Sequence, residues 1–202
     1  MTEAAPSRAS SFRRELGRKA IHLSSAAVPI ALALGVERRV ALIVLGALAL
    51  IAMTVEVARA SSSSIAARFD ALFMPLLRSH ELTRVTGATW LISAMFVAVL
   101  LLPRDAAVVA TWAAAVGDTA AALIGMRFGR NRSSRDGKSL EGSAACLLAT
   151  LVGALMLTRV GIGVALLAAV AAMVAERLPW PHDDNVRIVT AVGMAMIIGM
   201  AL

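Results

Sequence analysis

The sequence predicts an all-α protein, a polytopic membrane helical bundle that forms one domain over residues 1–202. Three observations lead to this fold class. Apolar residues make up 59% of the chain and charged residues only 16%, and the mean hydropathy of +0.79 exceeds that of ordinary soluble domains. Apolar runs of nearly membrane length follow one another with short connections between them. The basic residues concentrate in alternate connections.

Seven apolar runs indicate seven transmembrane helices, since each has roughly 16 to 20 residues and about 20 cross 30 Å of hydrocarbon. They lie at 20–36, 39–58, 87–102, 106–125, 143–158, 160–175 and 187–202. A basic arm, residues 1–18, precedes them. After the second run, four serines precede an apolar segment with scattered charges, which predicts an interfacial helix at 64–78. A gate for lateral entry of a lipid and a re-entrant piece that closes the bundle are both open roles for this segment.

The distribution of Lys and Arg predicts the orientation. Of the 20 Lys and Arg residues, four lie in the connections on one side, namely Arg38, Arg39, Arg104 and Arg159. Because cytoplasmic loops carry the excess of positive charge, the N-terminus and the active site are expected on the cytoplasmic face of an inner or plasma membrane. No nucleic acid partner is expected.

Small residues are expected to govern the helix packing. In the fourth run Gly117, Ala121, Gly125 and Gly129 recur every four residues, and another helix can lie closely on such a seam. Seams of this kind permit a homodimer without requiring one. The lone cysteine, Cys146, falls within the fifth run and is interpreted as a packing residue.

Asp118 is the residue that an apolar helix should tolerate least. It stands nine residues before Arg127, so it is expected roughly 13 Å below the polar edge of the membrane. A lone charge there costs about 2.5 to 3.5 kcal/mol. Another group must offset this cost, and an acid that merely fixes helix packing through a salt bridge is the alternative to a metal-binding or catalytic acid.

Two other helix ends carry polar side chains at helical spacing. Arg18 and Lys19 lie four and three residues before His22, so all three can share one face suited to phosphate. Glu56 and Arg59 stand one turn apart at the end of the second run. They can pair with each other, but their depth also suggests a role in a site.

A glycine-rich basic stretch precedes the fifth run. Gly137, Lys138 and Ser139 followed by Gly142 and Ser143 would let backbone N–H groups and a helix N-terminus cradle phosphate, with the lysine neutralising charge. No strand is predicted before this stretch, so its similarity to the P-loop of soluble nucleotide-binding proteins is a coincidence of three residues.

The last connection offers oxygen ligands. Glu176, Asp184 and Asn185 suit Mg²⁺ or another divalent cation held by one or two carboxylates and by substrate phosphates. Asp184 or Asn185 also suits the cap of the seventh helix. Capping and metal binding are compatible.

Several motifs, in order, resemble one family, the CTP-dependent lipid-alcohol kinases that include dolichol kinase, phytol kinase and yeast-type diacylglycerol kinase. The motifs are Arg18-Lys19-x-x-His22, Glu56-x-x-Arg59, Thr86-Gly87-Ala88-Thr89, Gly117-Asp118-x-x-Ala121-x-x-x-Gly125-x-x-x-Gly129, Lys138-Ser139-x-Glu141-Gly142-Ser143, and Glu176 with Asp184-Asn185. They cover residues 18 to 185. The short chain looks closer to the compact phytol, polyprenol and diacylglycerol kinases than to dolichol kinases.

The resemblance implies transfer of the terminal phosphate of CTP to the hydroxyl of a membrane lipid, with Mg²⁺, at the cytoplasmic face of the bilayer. It implies catalytic roles for Asp118, Lys138 and His22, with Asp118 either a metal ligand or a general base. It implies metal binding by Asp118, Glu176 and Asp184, and lipid binding by Glu56, Thr86 and Thr89. It implies nucleotide binding by Arg18, Lys19, Arg59, Gly137, Lys138, Ser139, Glu141, Gly142, Ser143 and Asn185.

Two other functions remain open from the sequence. A phosphatidate cytidylyltransferase also needs CTP, a metal and a lipid groove, although its C-terminal acidic signature is not evident here. A small proton- or ion-coupled transporter would use Asp118, His22 and Glu56 as a relay. Transport is disfavoured because the outer halves of the predicted helices carry no matching polar groups.

Overall fold

Ten α-helices and no β-strand form the regular structure of this computed structural model over its described residues, which are 8–74, 76–77, 79–133, 137–178 and 183–202. The helices are α1 Arg8–Ser24, α2 Ala27–Ala33, α3 Arg38–Ser61, α4 Ser63–Phe73, α5 Gly87–Leu101, α6 Arg104–Trp112, α7 Asp118–Phe128, α8 Leu140–Leu157, α9 Ile162–Arg177 and α10 Asp184–Ala201. A 3₁₀ helix, Ser79–Leu82, precedes α5. The all-helical prediction is therefore confirmed for this part of the chain.

The centre of the bundle is one continuous helix, Arg104–Phe128, which consists of α6, a π-helical segment Ala113–Gly117, and α7. In its most apolar stretch 67% of the residues are buried. Helices α2, α5, α8 and α10 pack around it. Its buried face is largely alanine, which lets the neighbouring helices approach closely.

The predicted small-residue seam is the contact surface for α8. Gly117 lies against Cys146 and Thr150, and Gly125 lies against Gly142 and the cap of α8. Cys146 is fully buried in this contact, as expected for a packing residue. The prediction that another helix lies on the seam is confirmed, since side chains this small leave room for direct contact of two backbones.

Four helices in the described part of the chain are long and apolar enough to cross a membrane, fewer than the seven predicted. They are Arg38–Ser61, Arg104–Phe128, Leu140–Leu157 and Asp184–Ala201. The third and sixth apolar runs form helices of 15 and 16 residues, which are shorter than the usual span of about 20.

The first apolar run, predicted as one helix over 20–36, is broken into α1 and α2. The break lies at Ser25 and Ala26. Pro29 has no N–H to donate to the carbonyl of Ser25, and the hydroxyls of Ser24 and Ser25 bond instead to carbonyls three residues back. A single long helix across this point is thereby prevented.

The predicted interfacial helix at 64–78 is shorter than expected. Helix α4 covers Ser63–Phe73 and has no buried residue. Residues 75 and 78 of the predicted helix lie outside the described residues, as do residues 1–7 of the basic arm. The rest of that arm, residues 8–18, forms most of α1.

Replacing Gly142 by alanine is expected to destabilise the bundle. A Cβ atom there would lie 2.6 Å from the carbonyl oxygen of Ala121 and 3.2 Å from Cα of Gly125, so α7 and α8 would have to separate, at a cost of about 1–3 kcal/mol. The measurement is the thermal midpoint of unfolding in detergent. Gly163→Ala is the matched control, because no atom lies within 4 Å of its Cβ position. Equal midpoints for the two variants would contradict this view of the seam.

Candidate functional site

Asp118 is the first residue of α7 and follows directly on the π-helical segment. Its side chain is buried, with 6% of the residue exposed. A π turn accommodates one extra residue, so it rotates the following helix relative to the preceding one, and such turns are frequent at functional sites. The local backbone therefore sets the direction in which α7 presents Asp118.

The charge of Asp118 is offset by Lys19 of α1. The ammonium group of Lys19 forms an ion pair with Oδ2 of Asp118, and Lys19 is also buried. A buried carboxylate needs a charged, hydrogen-bonding partner because burial removes its hydration. Lys19 is therefore the compensating group that was predicted for Asp118, although the sequence had indicated phosphate binding for Lys19.

His22 lies one turn after Lys19 and completes this cluster. Its Nε2 atom is 2.9 Å from the carbonyl oxygen of Ala114, which belongs to the π segment, and 3.5 Å from Oδ2 of Asp118. The neighbouring Arg18 is paired with Glu15. Its Nε–H donates to Oε2 of Glu15 at an N···O distance of 3.0 Å. We call Lys19, His22 and Asp118 the central cluster.

Glu56 holds the beginning of α5. Its Oε1 accepts hydrogen bonds from the backbone N–H of Thr86 at 2.9 Å, from the hydroxyl of Thr86 at 2.8 Å and from that of Thr89 at 3.0 Å. Its Oε2 accepts from Arg59 at 2.7 Å. The predicted pairing of Glu56 with Arg59 is confirmed, and the structure places all four residues in one buried network.

Arg59 connects this network to α4 and to the 3₁₀ helix. Its guanidinium lies 4.2 Å from the centre of the Phe69 ring, and it donates to the carbonyl oxygen of Glu81 at 3.1 Å. The carboxylate of Glu81 in turn accepts from the backbone N–H of Gly87 at 2.8 Å. Arg59 and its partners therefore join α3, α4, the 3₁₀ helix and the start of α5.

Lys138 and Glu176 form a separate cluster at the ends of α8 and α9. Nζ of Lys138 lies 3.0 Å from Oε1 of Glu176 and also donates to the backbone carbonyl of Glu176. The hydroxyl of Ser143 donates to Oε2 of Glu176 at 3.2 Å, and Arg177 lies 3.4 Å from that hydroxyl. Lys138 is partly exposed, whereas Glu176 and Ser143 are buried. We call it the outer cluster.

The residues of the predicted phosphate cradle already make hydrogen bonds to one another and to the preceding loop. Ser139 is the N-cap of α8, and its hydroxyl accepts from the N–H of Gly142 at 3.1 Å. The N–H of Leu140 bonds to the carbonyl of Asn131, and Glu141 accepts from the N–H of Arg130 at 3.2 Å. Gly137 adopts a positive φ of 70°, which suits glycine in this turn. Phosphate binding here would require these hydrogen bonds to be exchanged.

The N-cap of α10 is Asp183, one residue before the two predicted candidates, Asp184 and Asn185. Its carboxylate accepts from the N–H of Asn185 at 2.9 Å and from the side-chain amide of Asn185 at 2.7 Å. Asn185 is buried, and its Oδ1 has no hydrogen-bond partner within the described structure. The prediction of a capped helix is right, but the capping residue is different.

A cavity of about 670 Å³ joins several of these groups. At one end it is lined by the central cluster and by Glu56, Thr86, Asp184 and Asn185. The remaining wall is largely apolar and comes from α3, α4 and α5, with Leu45, Leu48, Phe73 and Met95 among its residues. A cavity with one charged end and one long apolar wall fits an amphipathic ligand.

The predicted metal ligands divide between two places. Asp118 and Asp184 line the cavity, whereas Glu176 is engaged in the outer cluster. Among the described residues no three His, Cys, Asp or Glu side chains gather as a metal site. The carboxylate of Asp184 has no hydrogen-bond or ion-pair partner there, so Asp184 and Asp118 suit Mg²⁺ of the kind bound by two carboxylates and substrate phosphates. Glu176 does not fit this set.

Sequence reasoning missed three contributions to the site. Glu81 carries no local signal, because a single acid in a polar connection looks exposed, yet it is buried. The carbonyl of Ala114 becomes a partner of His22 in a π segment whose alanines give no sequence signal. For α4 the sequence left open whether the segment lies at the membrane surface or closes the bundle, and only the structure shows that Phe69 and Phe73 line the cavity.

Comparison of the chain with protein-family models, with curated proteins and with solved structures gives no match. The resemblance seen in the motifs therefore stays a prediction.

Removing one member of the Lys19–Asp118 pair is expected to destabilise the protein more than removing both. Lys19→Met or Asp118→Leu alone leaves a buried charge without its partner and should lower the free energy of unfolding by about 3–5 kcal/mol, whereas the double variant should recover most of this loss. Thermal unfolding of the two single variants and the double variant in detergent measures the coupling energy between the two residues. Glu15→Gln, in the more exposed pair with Arg18, should cost below about 1 kcal/mol. Additive effects of the two single variants would contradict the pairing.

Proposed function

We propose that this protein is a lipid-alcohol kinase that transfers the terminal phosphate of CTP to the hydroxyl of a membrane lipid. The observation that carries the proposal is the cavity, in which a Lys–His–Asp cluster adjoins a long apolar wall. An isoprenoid alcohol such as a polyprenol or phytol, or a diacylglycerol, has the same division between a small polar end and an apolar chain. The motif resemblance points to the same substrates.

The proposal includes seven membrane crossings and a cytoplasmic N-terminus. Four helices are long and apolar enough to cross, and α5 is a shorter apolar helix of 15 residues. The outward side of α3 is rich in exposed apolar side chains, such as Ile43, Leu50 and Ile51, a surface suited to lipid. The charge bias of the connections supports the orientation.

The CTP phosphates are proposed to lie between the central and outer clusters. The two are close along α8, because Cys146 faces Gly117, next to Asp118, while Ser143 one turn earlier contacts Glu176. Lys138 would neutralise phosphate charge from the outer side, and Lys19 from the cavity side. Phosphoryl transfer depends mainly on positioning and on such neutralisation. Mg²⁺, held by Asp118 and Asp184, would supply further neutralisation of the phosphates.

His22 is proposed to accept the proton of the alcohol. Its Nε2 faces two acceptors, the carbonyl of Ala114 and the carboxylate of Asp118, so Nε2 carries the hydrogen and Nδ1 keeps its lone pair. Nδ1 makes no hydrogen bond to the described residues, and His22 lines the cavity. Asp118 is already paired with Lys19, which makes it the weaker base of the two.

The proposed step is a single displacement at phosphorus. The alcohol oxygen forms a bond to the γ-phosphorus while the bond from that phosphorus to the bridging oxygen breaks. CDP leaves with the electron pair of the broken bond, and the hydroxyl proton passes to Nδ1 of His22. Asp118 orients the imidazole and Lys19 together, so its replacement should disturb both.

The proposal predicts transfer of label from γ-labelled CTP to a lipid alcohol. Purified protein in lipid micelles with Mg²⁺ is offered polyprenol, phytol, diacylglycerol or phosphatidate in separate samples, and the lipid products are separated. We expect a labelled alcohol phosphate with wild-type protein and none with Asp118→Asn. CDP-lipid formed from phosphatidate and α-labelled CTP would instead indicate a cytidylyltransferase. No product from any acceptor would refute both enzyme functions.

Replacing His22 by glutamine is expected to lower kcat by about 10²–10⁴-fold, the usual contribution of a general base, with little change in the KM for CTP. The comparison is steady-state kinetics of wild type, His22→Gln and, as a matched surface control, Arg159→Gln. Arg159 lies in a connection on the predicted opposite side, so its replacement should leave kcat unchanged. A kcat of His22→Gln within threefold of wild type would exclude this histidine as the base.

A further inference from the structure

The apolar part of the cavity extends far beyond the depth of a polar headgroup. Along α3 it is lined from Glu56 to Leu45, a distance of about 16 Å at 1.5 Å per residue. Along α5 the lining continues through Leu91 and Ile92 to Met95. Beyond the polar end the lining side chains on these two helices are apolar, so this part of the cavity suits a hydrocarbon chain.

The cavity has a side on which its walls scarcely touch each other. Helix α3 packs mainly on α5 and α4, whereas α2 packs mainly on α6. Side chains that line the cavity from both walls remain exposed: Ile21 of α1 by 58% and Leu48 of α3 by 46%. Close packing would have buried such residues. The cavity therefore opens sideways between α1–α2 and α3.

This opening faces the region where a bilayer would lie. The outer surface of α3 beside it carries exposed apolar residues, including Val44 and Ile51. The polar end is covered by α4, whose Phe69 and Phe73 line the cavity and whose position is held by Arg59. At the α1–α2 wall Ser24 and Ser25 also line the cavity, and their hydroxyls are bonded to backbone carbonyls of α1. The side opening is thus uncharged and mostly apolar, and the charged groups lie at the covered end.

We infer that the opening between α1–α2 and α3 is a lateral portal, in which the hydrocarbon chain of the lipid alcohol runs from the cavity into the membrane. This inference rests on the proposed function and specifies how its substrate is bound. The chain stays among uncharged, mostly apolar groups, so the substrate need not expose its methylenes to water. The hydroxyl then lies at the central cluster while the far end of the chain remains in lipid.

A lateral portal implies an acceptor that has a long hydrocarbon chain. Such an acceptor reaches the site by diffusion within the membrane. A short, water-soluble alcohol does not need the side opening. It fits wholly within the cavity and places no hydrocarbon chain in the opening. The two classes of acceptor therefore respond differently when the portal is closed.

The test bridges the portal with a chemical cross-link. Val28 and Leu48 line the cavity from its two walls, and each is replaced by cysteine in a Cys146→Ala background. A bifunctional, reducible thiol reagent then joins them in vesicles of phosphatidylcholine and phosphatidylglycerol. The controls are each single cysteine variant treated alike, and Leu50→Cys, whose side chain is exposed on α3 outside the cavity.

We expect the cross-link to lower phosphorylation of phytol and polyprenol at least tenfold, and reduction of the cross-link to restore it. Phosphorylation of 3-methylbut-2-en-1-ol should change less than twofold. An unchanged rate with the long-chain alcohols would overturn the portal. An equal loss for short and long alcohols would also overturn it, because distortion of the central cluster then explains the result.

A second measurement does not depend on catalysis. A long-chain alcohol that carries a diazirine along its chain is photolysed with the protein in the same vesicles, and the labelled residues are mapped by mass spectrometry. Label on α2 and on the cavity side of α3, lost after cross-linking, supports the portal even if no alcohol is phosphorylated. Such labelling without phosphorylation of any alcohol would refute the kinase function and support the portal. Label confined to the outer face of α3 would refute the portal.

Discussion

The buried ion pair between Lys19 and Asp118 is the interaction on which the rest of the site depends. It joins α1 to the central helix and makes an acid tolerable in the most enclosed part of the bundle. It also brings His22 to the π segment, where the imidazole contacts the carbonyl of Ala114. Without this pair α1 would lose its ionic attachment to α7, and the cavity would lose one of its walls.

The other polar groups follow the same rule, that a buried charge must be paired and hydrogen-bonded. Glu56 receives four donors, and through Arg59 it ties together α3, α4 and the start of α5. Glu176 is paired with Lys138 and Ser143 at the opposite side of α7. The Glu56 and Glu176 networks lie at helix ends, whereas Asp118 lies within the continuous helix Arg104–Phe128.

Two kinds of backbone feature make room for this arrangement. The small residues of α7 let α8 approach closely, so that Ser143 of the outer cluster lies one turn along α8 from Cys146, which faces Gly117. The π segment turns α7 so that Asp118 and the carbonyl of Ala114 face α1 together. On the opposite wall, α2 and α3 make few contacts with each other. Close packing on one side and separation on the other create a cavity with a charged end and an apolar path.

The sequence by itself determined the helical class, the small-residue seam and the polar residues gathered near helix ends, because composition and spacing along one helix express these properties locally. It also predicted the Glu56–Arg59 pair, which spans a single turn. Tertiary structure alone decided which groups meet across the bundle. Lys19 and Asp118 are 99 residues apart in the chain, and Glu81 is buried only because Arg59 and Gly87 come to it. The π segment also depends on neighbouring helices, since a run of alanines permits several backbone paths and packing selects one.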